Sequence, residues 1–302
     1  MNAPLKKIVI VGVGLIGGSF ALALRKGNAV ERIVGVGRSA ATLQRARQLG
    51  LIDETAALAD ALKDADLVLL SVPVAQTEAV LAAIAPYLMP DTVVTDAGSI
   101  KTEVVSAARR ALGARIGQFV PGHPIAGREV SGPEAAVADL YVGKKVVLTP
   151  LAENAAAHVE RVAYAWRQCG AQVHRLPAEQ HDAVFAAVSH LPHLLSFALV
   201  DDIVNKPDAT LLLEYAASGF RDVTRLASSS PEMWRDISLA NRQAILTELD
   251  AYVAQLTRFR AQLDAQDGDA MQTMFTRARD ARDAWLKQTA SAETANRKNG
   301  DA

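Results

Sequence analysis

Residues 7–17 read Lys-Ile-Val-Ile-Val-Gly-Val-Gly-Leu-Ile-Gly, and the architecture follows from them. A compact β-branched run over 7–11 is followed by glycines at 12, 14 and 17, and helical periodicity then runs from Leu15 to about Arg25. Gly12 suits a tight turn, Gly14 lets backbone approach a pyrophosphate, and Gly17 lets the helix pack closely on the strand. The phosphates would sit at the helix N-terminus. G-x-G-x-x-G alone is a weak signal. Placed between a strand and a helix it predicts a dinucleotide-binding βαβ unit, with Gly12, Gly14, Leu15, Ile16 and Gly17 as cofactor contacts.

Outward from this unit, short apolar runs at 32–36, 66–71, 92–95, 118–120 and 145–148 alternate with helical stretches at 42–49 and 77–85. That alternation predicts an α/β fold, an N-terminal Rossmann-type doubly wound parallel sheet. Near 176–179 the character changes, and only helical periodicity follows. One helix is expected over 181–204, with Pro192 as the place for a bend, one or two more over 231–263, and a last one over 269–286. The expected division is residues 1–177 for the dinucleotide-binding domain, 178–286 for an all-helical C-terminal domain, and 287–302 for a small, polar, disordered tail.

Composition narrows the function classes. Half the residues are hydrophobic and 22% charged, an ordinary globular balance, and the net charge of -1 gives no basic field for nucleic acid. The single cysteine, Cys169, excludes an internal disulfide and a cysteine-built metal site, and it reads as a small buried hydrophobe. The opening MNAPLKK reads as the approach to a strand, not a signal peptide, and no run of about 18 apolar residues is seen. A soluble, cytoplasmic protein is expected, binding no metal, nucleic acid or membrane.

At the end of the second predicted strand, Gly35-Val36-Gly37-Arg38-Ser39 lacks the acid that binds a ribose 2′-hydroxyl in NAD enzymes. Arg38 and Ser39 instead suit a 2′-phosphate, so NADP is the expected cofactor, with NAD still open. The plainer reading of Arg38 is a solvated loop cation.

Three groups of segments offer chemistry: DAGSIK at 96–101, GHPIAG at 122–127, and the pair SHLPH at 189–193 and GFRDVTR at 219–225. In this order and at these separations they resemble the prephenate/arogenate dehydrogenases, over roughly residues 6–286. The resemblance implies a Rossmann domain with a helical dimerisation domain, a homodimer, and oxidative decarboxylation in tyrosine biosynthesis. In that reaction a hydride leaves ring C4 of prephenate for the nicotinamide and the 4-hydroxyl loses its proton. The ring carboxylate departs as CO2 and the ring becomes aromatic. Such a site needs a hydrogen-bond acceptor at the hydroxyl and cations for the carboxylates.

By resemblance, His123 is the acceptor and Ser99 hydrogen-bonds the same hydroxyl, whereas their bland readings are a turn histidine and a helix N-cap. Arg225 matches the carboxylate clamp and His193 a pocket histidine; either His190 or His193 would otherwise be a core residue. Glu129 resembles a pocket-gating acid, and Ser71 and Pro73 the loop that covers the cofactor. Prephenate is favoured over arogenate, with both open. The rival enzyme is a β-hydroxyacid-type NADP-dependent dehydrogenase, which would use a lysine of the second domain. A non-catalytic NADP sensor would not need this set of acceptor and clamps.

Overall fold

The computed structural model describes residues 4–128 and 130–300. Six strands form a parallel sheet: β1 (Leu5–Val11), β2 (Val30–Val36), β3 (Glu54–Thr55), β4 (Leu67–Leu70), β5 (Val93–Asp96) and β6 (Phe119–Val120), in the order β3-β2-β1-β4-β5-β6. Why these runs pair this way is visible in their two faces. Ile8, Ile10, Ile33, Leu67, Leu69 and Val93 point into one buried cluster. Their neighbours Val9, Val11, Val34, Val68, Leu70 and Val94 point into another. Successive side chains of a strand alternate, so a run apolar at every position can only be satisfied with helices on both faces. Strand order reverses between β1 and β4, the place where doubly wound sheets open a crevice at their carboxyl ends.

Two expectations are corrected here. The run 145–148 does not complete the parallel sheet. It forms the middle strand of a separate three-stranded sheet, β7 (Gly122–Pro124), β8 (Lys145–Leu148) and β9 (Gln172–Arg175), with β7 antiparallel and β9 parallel to β8. GHPIAG, read as a loop, therefore begins as a strand. Its glycine and proline hide the strand signal, because proline lacks an N–H and sits here at the strand's end.

A continuous helix covers Ala178–Val204. Its irregularity is a π-turn over Ala186–His190, in which Leu191 N–H bonds to the Ala186 carbonyl, just before Pro192. Proline cannot donate to, and clashes with, the carbonyl four residues back, so a wider turn there relieves the conflict. By length and composition this helix could cross a membrane, with an 18-residue window of mean hydropathy 1.7, contrary to the expectation that no such run exists. It nevertheless buries His181, Asp182 and His190.

The chain divides into two compact units, Met1–Ile245 and Leu246–Ala302, so the first unit takes in helices beyond 177. The second is a helical hairpin of the end of Arg242–Asp264 and Gly268–Gly300, joined by a turn with Gln266 at φ 54° and with Phe259 edge-on to Phe275. That last helix runs through most of the stretch expected to be a structureless tail. Ala, Glu, Lys and Arg there are good helix formers, and polarity alone did not distinguish a helix from coil.

Candidate active site

The glycine turn has the geometry its sequence implies. Gly12 sits at φ 94°, and a Cβ there would lie 2.3 Å from the Ser71 carbonyl oxygen. A Cβ at Gly17 would lie 2.4 Å from the Gly12 carbonyl oxygen, so the helix Leu15–Lys26 comes as close to the strand as backbone allows. At Gly14, the N-cap of that helix, an added Cβ would meet nothing within 4 Å, and no side chain caps the helix's first N–H groups. Uncapped donors facing open space at a helix N-terminus fit a bound pyrophosphate. Ser71 and Pro73 follow β4 beside this turn, with Ser71 N–H bonded to the Val11 carbonyl. The Ile16 carbonyl accepts from the buried Tyr141 hydroxyl at 2.6 Å, and Leu15 packs inward. Arg38 and Ser39 lie exposed past β2, and the Ser39 hydroxyl caps the helix Ala40–Gln48 by accepting from Thr42 N–H. Serving as acceptor there leaves its own O–H to donate.

His123 lies on β7, opposite Val147 of β8, only 9% exposed and edge-on to Phe185. Its Nδ1 is 2.8 Å from Nε2 of His181, whose Nδ1 is 2.8 Å from Oδ1 of Asp182. The Asp182 carboxylate also accepts the backbone N–H of Lys101 at 2.7 Å and of Thr102 at 2.8 Å, capping the helix Thr102–Leu112. Ser99 is thus not the cap of that helix. Burial works against ionisation of Asp182, but the hydrogen bonds from His181, Thr102 and Lys101 outweigh it and hold the carboxyl low. Burial, reinforced by the neighbouring His181 and Lys101, holds His123 well below the ordinary histidine value, and burial lowers His181 likewise.

Lys101 is fully buried. Its ammonium pairs with Asp96 and donates to the Gly122 carbonyl at 2.7 Å, while Asp96 accepts from Gly122 N–H at 3.0 Å and Gly98 N–H at 2.9 Å. Both backbone groups of the residue before His123 are therefore held by one ion pair.

The helix Ala178–Val204 contributes the remaining histidines. His190 is 1% exposed, and its Nδ1 lies 3.0 Å from Asn241 Nδ2, which also donates to the Asp182 carbonyl. Accepting at Nδ1 puts its proton on Nε2, which has no close partner and lies beside the Ser99 backbone. Burial lowers its pKa to about 4. His193 is half-buried, donates from Nδ1 to the Ser189 carbonyl at 2.9 Å, and stacks on Trp234 at 3.7 Å. Of the two, His190 is the core histidine.

Arg225 lies exposed in a 3-10 turn, Arg225–Ser228, packed near the long helix through the Ala227 N–H to Ser196 hydroxyl bond. Glu129 lies outside the described residues. Trp166 is wholly buried, whereas Trp285 is exposed, and the buried Cys169 thiol is pushed up by its apolar surroundings.

Sequence reading missed His181, Asp182 and Asn241, and quoted Asp96 and Lys101 without assigning them a task. The signals present were a His-Asp step at the start of a helix and an acid-lysine pair inside DAGSIK. Nothing in one dimension shows that His181 meets a histidine 58 positions earlier.

Two adjoining families match the chain: "Prephenate dehydrogenase, nucleotide-binding domain" over residues 20–175 and "Prephenate dehydrogenase, dimerization domain" over residues 177–277. A cyclohexadienyl dehydrogenase of Zymomonas mobilis is 39% identical over 280 residues, 92% of this chain and 95% of that protein. Among solved structures, prephenate dehydrogenase from Aquifex aeolicus, in complex with hydroxyphenyl propionate and NAD+, superposes with a TM-score of 0.88. It has 35% identity and covers 93% of this chain and 99% of its own. Synechocystis arogenate dehydrogenase does so at 0.80 and 29% identity, over 92% and 99%.

Proposed function

The chain belongs to the prephenate dehydrogenase family and is an NAD(P)-dependent oxidoreductase, and on that premise we propose how its residues carry out the oxidation of prephenate. The glycine turn at Gly12, Gly14 and Gly17, with the N-terminus of Leu15–Lys26, holds the pyrophosphate, and Ser71 and Pro73 flank it. Arg38 and the free O–H of Ser39 receive a 2′-phosphate, which makes NADP the preferred cofactor over NAD. A bound nicotinamide supplies the acceptor for the hydride leaving ring C4.

His123 is the catalytic residue: Nε2 accepts the 4-hydroxyl proton as the hydride departs, so that the ring carbon can become carbonyl-like and decarboxylation can follow. What supports this assignment is that Nδ1 of His123 is already engaged by His181, leaving the other nitrogen for substrate. Ser99, half-buried after β5, orients the same hydroxyl. Arg225 clamps one carboxylate and His193 meets the side chain, with Glu129 gating the pocket. The protein works as a cytoplasmic homodimer through its helical part, and prephenate is preferred to arogenate.

The deciding experiment offers purified protein prephenate or arogenate with NAD or NADP, in all four combinations, and follows the absorbance of reduced nicotinamide. Reduction is expected with prephenate and most rapid with NADP. Silence in all four from folded, cofactor-binding protein would remove the substrate assignment, and equal rates with both cofactors would remove the role of Arg38.

A further inference from the structure

We infer that His181 and Asp182 are positioning residues that hold His123 in the single protonation pattern from which its Nε2 can accept a proton. The inference rests on the proposed role of His123 and extends it to two buried residues hydrogen-bonded in line behind that ring.

The chain of donors and acceptors leaves little freedom. An ionised carboxylate only accepts. Asp182 accepts two backbone N–H groups, at 2.7 and 2.8 Å, so the third partner at 2.8 Å, His181 Nδ1, must carry a proton. A neutral imidazole has one proton, so Nε2 of His181 holds a lone pair. Nδ1 of His123, 2.8 Å away, must then be the donor of that bond, and the lone pair of His123 falls on Nε2. The pattern propagates from carboxylate to outer ring without any other contact to His123 being needed.

The competing pattern is a cationic His181 that donates from both nitrogens. It would force the proton of His123 onto Nε2 and abolish the base. The groups around the pair are the buried Lys101 with its partner Asp96, the neutral His190, the anion of Asp182 and the ring of Phe185. A second cation in that enclosure, beside the Lys101 ammonium, is disfavoured by burial and by charge. When the substrate O–H bond breaks and the Nε2–H bond of His123 forms, the new positive charge is two hydrogen bonds from the Asp182 carboxylate.

The test combines ring 15N NMR of histidine-labelled full-length protein with steady-state kinetics. The His123 signals are assigned by their loss in His123→Asn. Near neutral pH the wild type is expected to show a protonated Nδ1 and an unprotonated Nε2. In Asp182→Asn the side-chain amide can donate to His181, and the His123 pattern is expected to reverse or average, with turnover down roughly 10²-fold. KM for prephenate and the affinity for NADP should stay within about threefold, as for a group acting on the chemical step. His181→Ala should lose turnover similarly. His181→Gln should recover most of it, because an amide oxygen can accept from His123 while its NH2 donates to Asp182. Since Asp182 also caps a helix, the His181 pair decides the matter if Asp182→Asn does not fold. An unchanged His123 pattern in Asp182→Asn, or wild-type turnover in His181→Ala, overturns the proposal. Loss of the base role itself would appear separately, as normal turnover in His123→Asn.

Discussion

Nδ1 of His123 is committed to His181, and in the proposed reaction its Nε2 takes the proton. Removing the base while keeping a polar side chain, as in His123→Asn, is expected to lower turnover roughly 10²-fold or more with NADP binding retained. Stopped-flow turnover close to wild type would assign the proton to another group. The proposed role of Arg225 is a different case, because a clamp would contribute to binding in ground and transition state alike. Arg225→Gln should raise KM for prephenate by about 2 kcal/mol, some 30-fold, with a smaller change in kcat. A KM unchanged in initial-rate measurements would take Arg225 out of the pocket. These side chains were singled out from motifs. Their partners were not, since hydrogen-bond pairing depends on which distant backbone brings two rings together.

At the scale of elements, the Asp96–Lys101 pair joins the end of β5 to the start of β7 and so fixes where one sheet hands the chain to the other. A buried pair need not stabilise relative to apolar residues, but breaking one is costly because it leaves a charge uncompensated. Lys101→Met should therefore destabilise by about 3–5 kcal/mol in urea unfolding. Adding Asp96→Asn to it should recover a substantial part. A single variant within about 1 kcal/mol of wild type would mean that Asp96 is neutral or well solvated. The parallel strands were legible where successive positions are apolar, as at 8–11, 67–70 and 93–94. β7 and β9 were not: β7 holds a glycine and a proline, and Gln172–Arg175 has only half-exposed and exposed positions, so no burial pattern marks it.

For the whole molecule, three imidazoles (His123, His181 and His190) are buried and held below the ordinary value of 6.5. The unfolded chain therefore binds more protons than the native one below that pH, and stability should fall as pH drops through 6.5. Each imidazole contributes up to about 1.4 kcal/mol per pH unit. Asp182, with its carboxyl held low, adds a further loss only near and below the ordinary carboxylate value of 3.8. Calorimetry should find a lower Tm at pH 5.5 than at pH 7; equal values would mean that these histidines are hydrated. The long helix exposes Val184, Val188, Leu199 and Val204, and the C-terminal unit exposes Tyr252, Leu256, Phe275 and Trp285. Large apolar side chains in such number mark surfaces awaiting a partner. Sedimentation is expected to give twice the 32.1 kDa of the chain, and a monomer at micromolar concentration would leave those faces unexplained.

Periodicity and glycine placement were sufficient for the doubly wound sheet, the helical second part and the glycine turn, because burial and backbone freedom are local properties that leave a mark on each residue. Packing in three dimensions alone set the second sheet, the remote capping by Asp182 and the line from Asp182 through His181 to His123. The capping by Asp182 and the bond between His181 and His123 join residues 58 to 81 positions apart, and no local preference records which of many polar side chains a buried ring will meet.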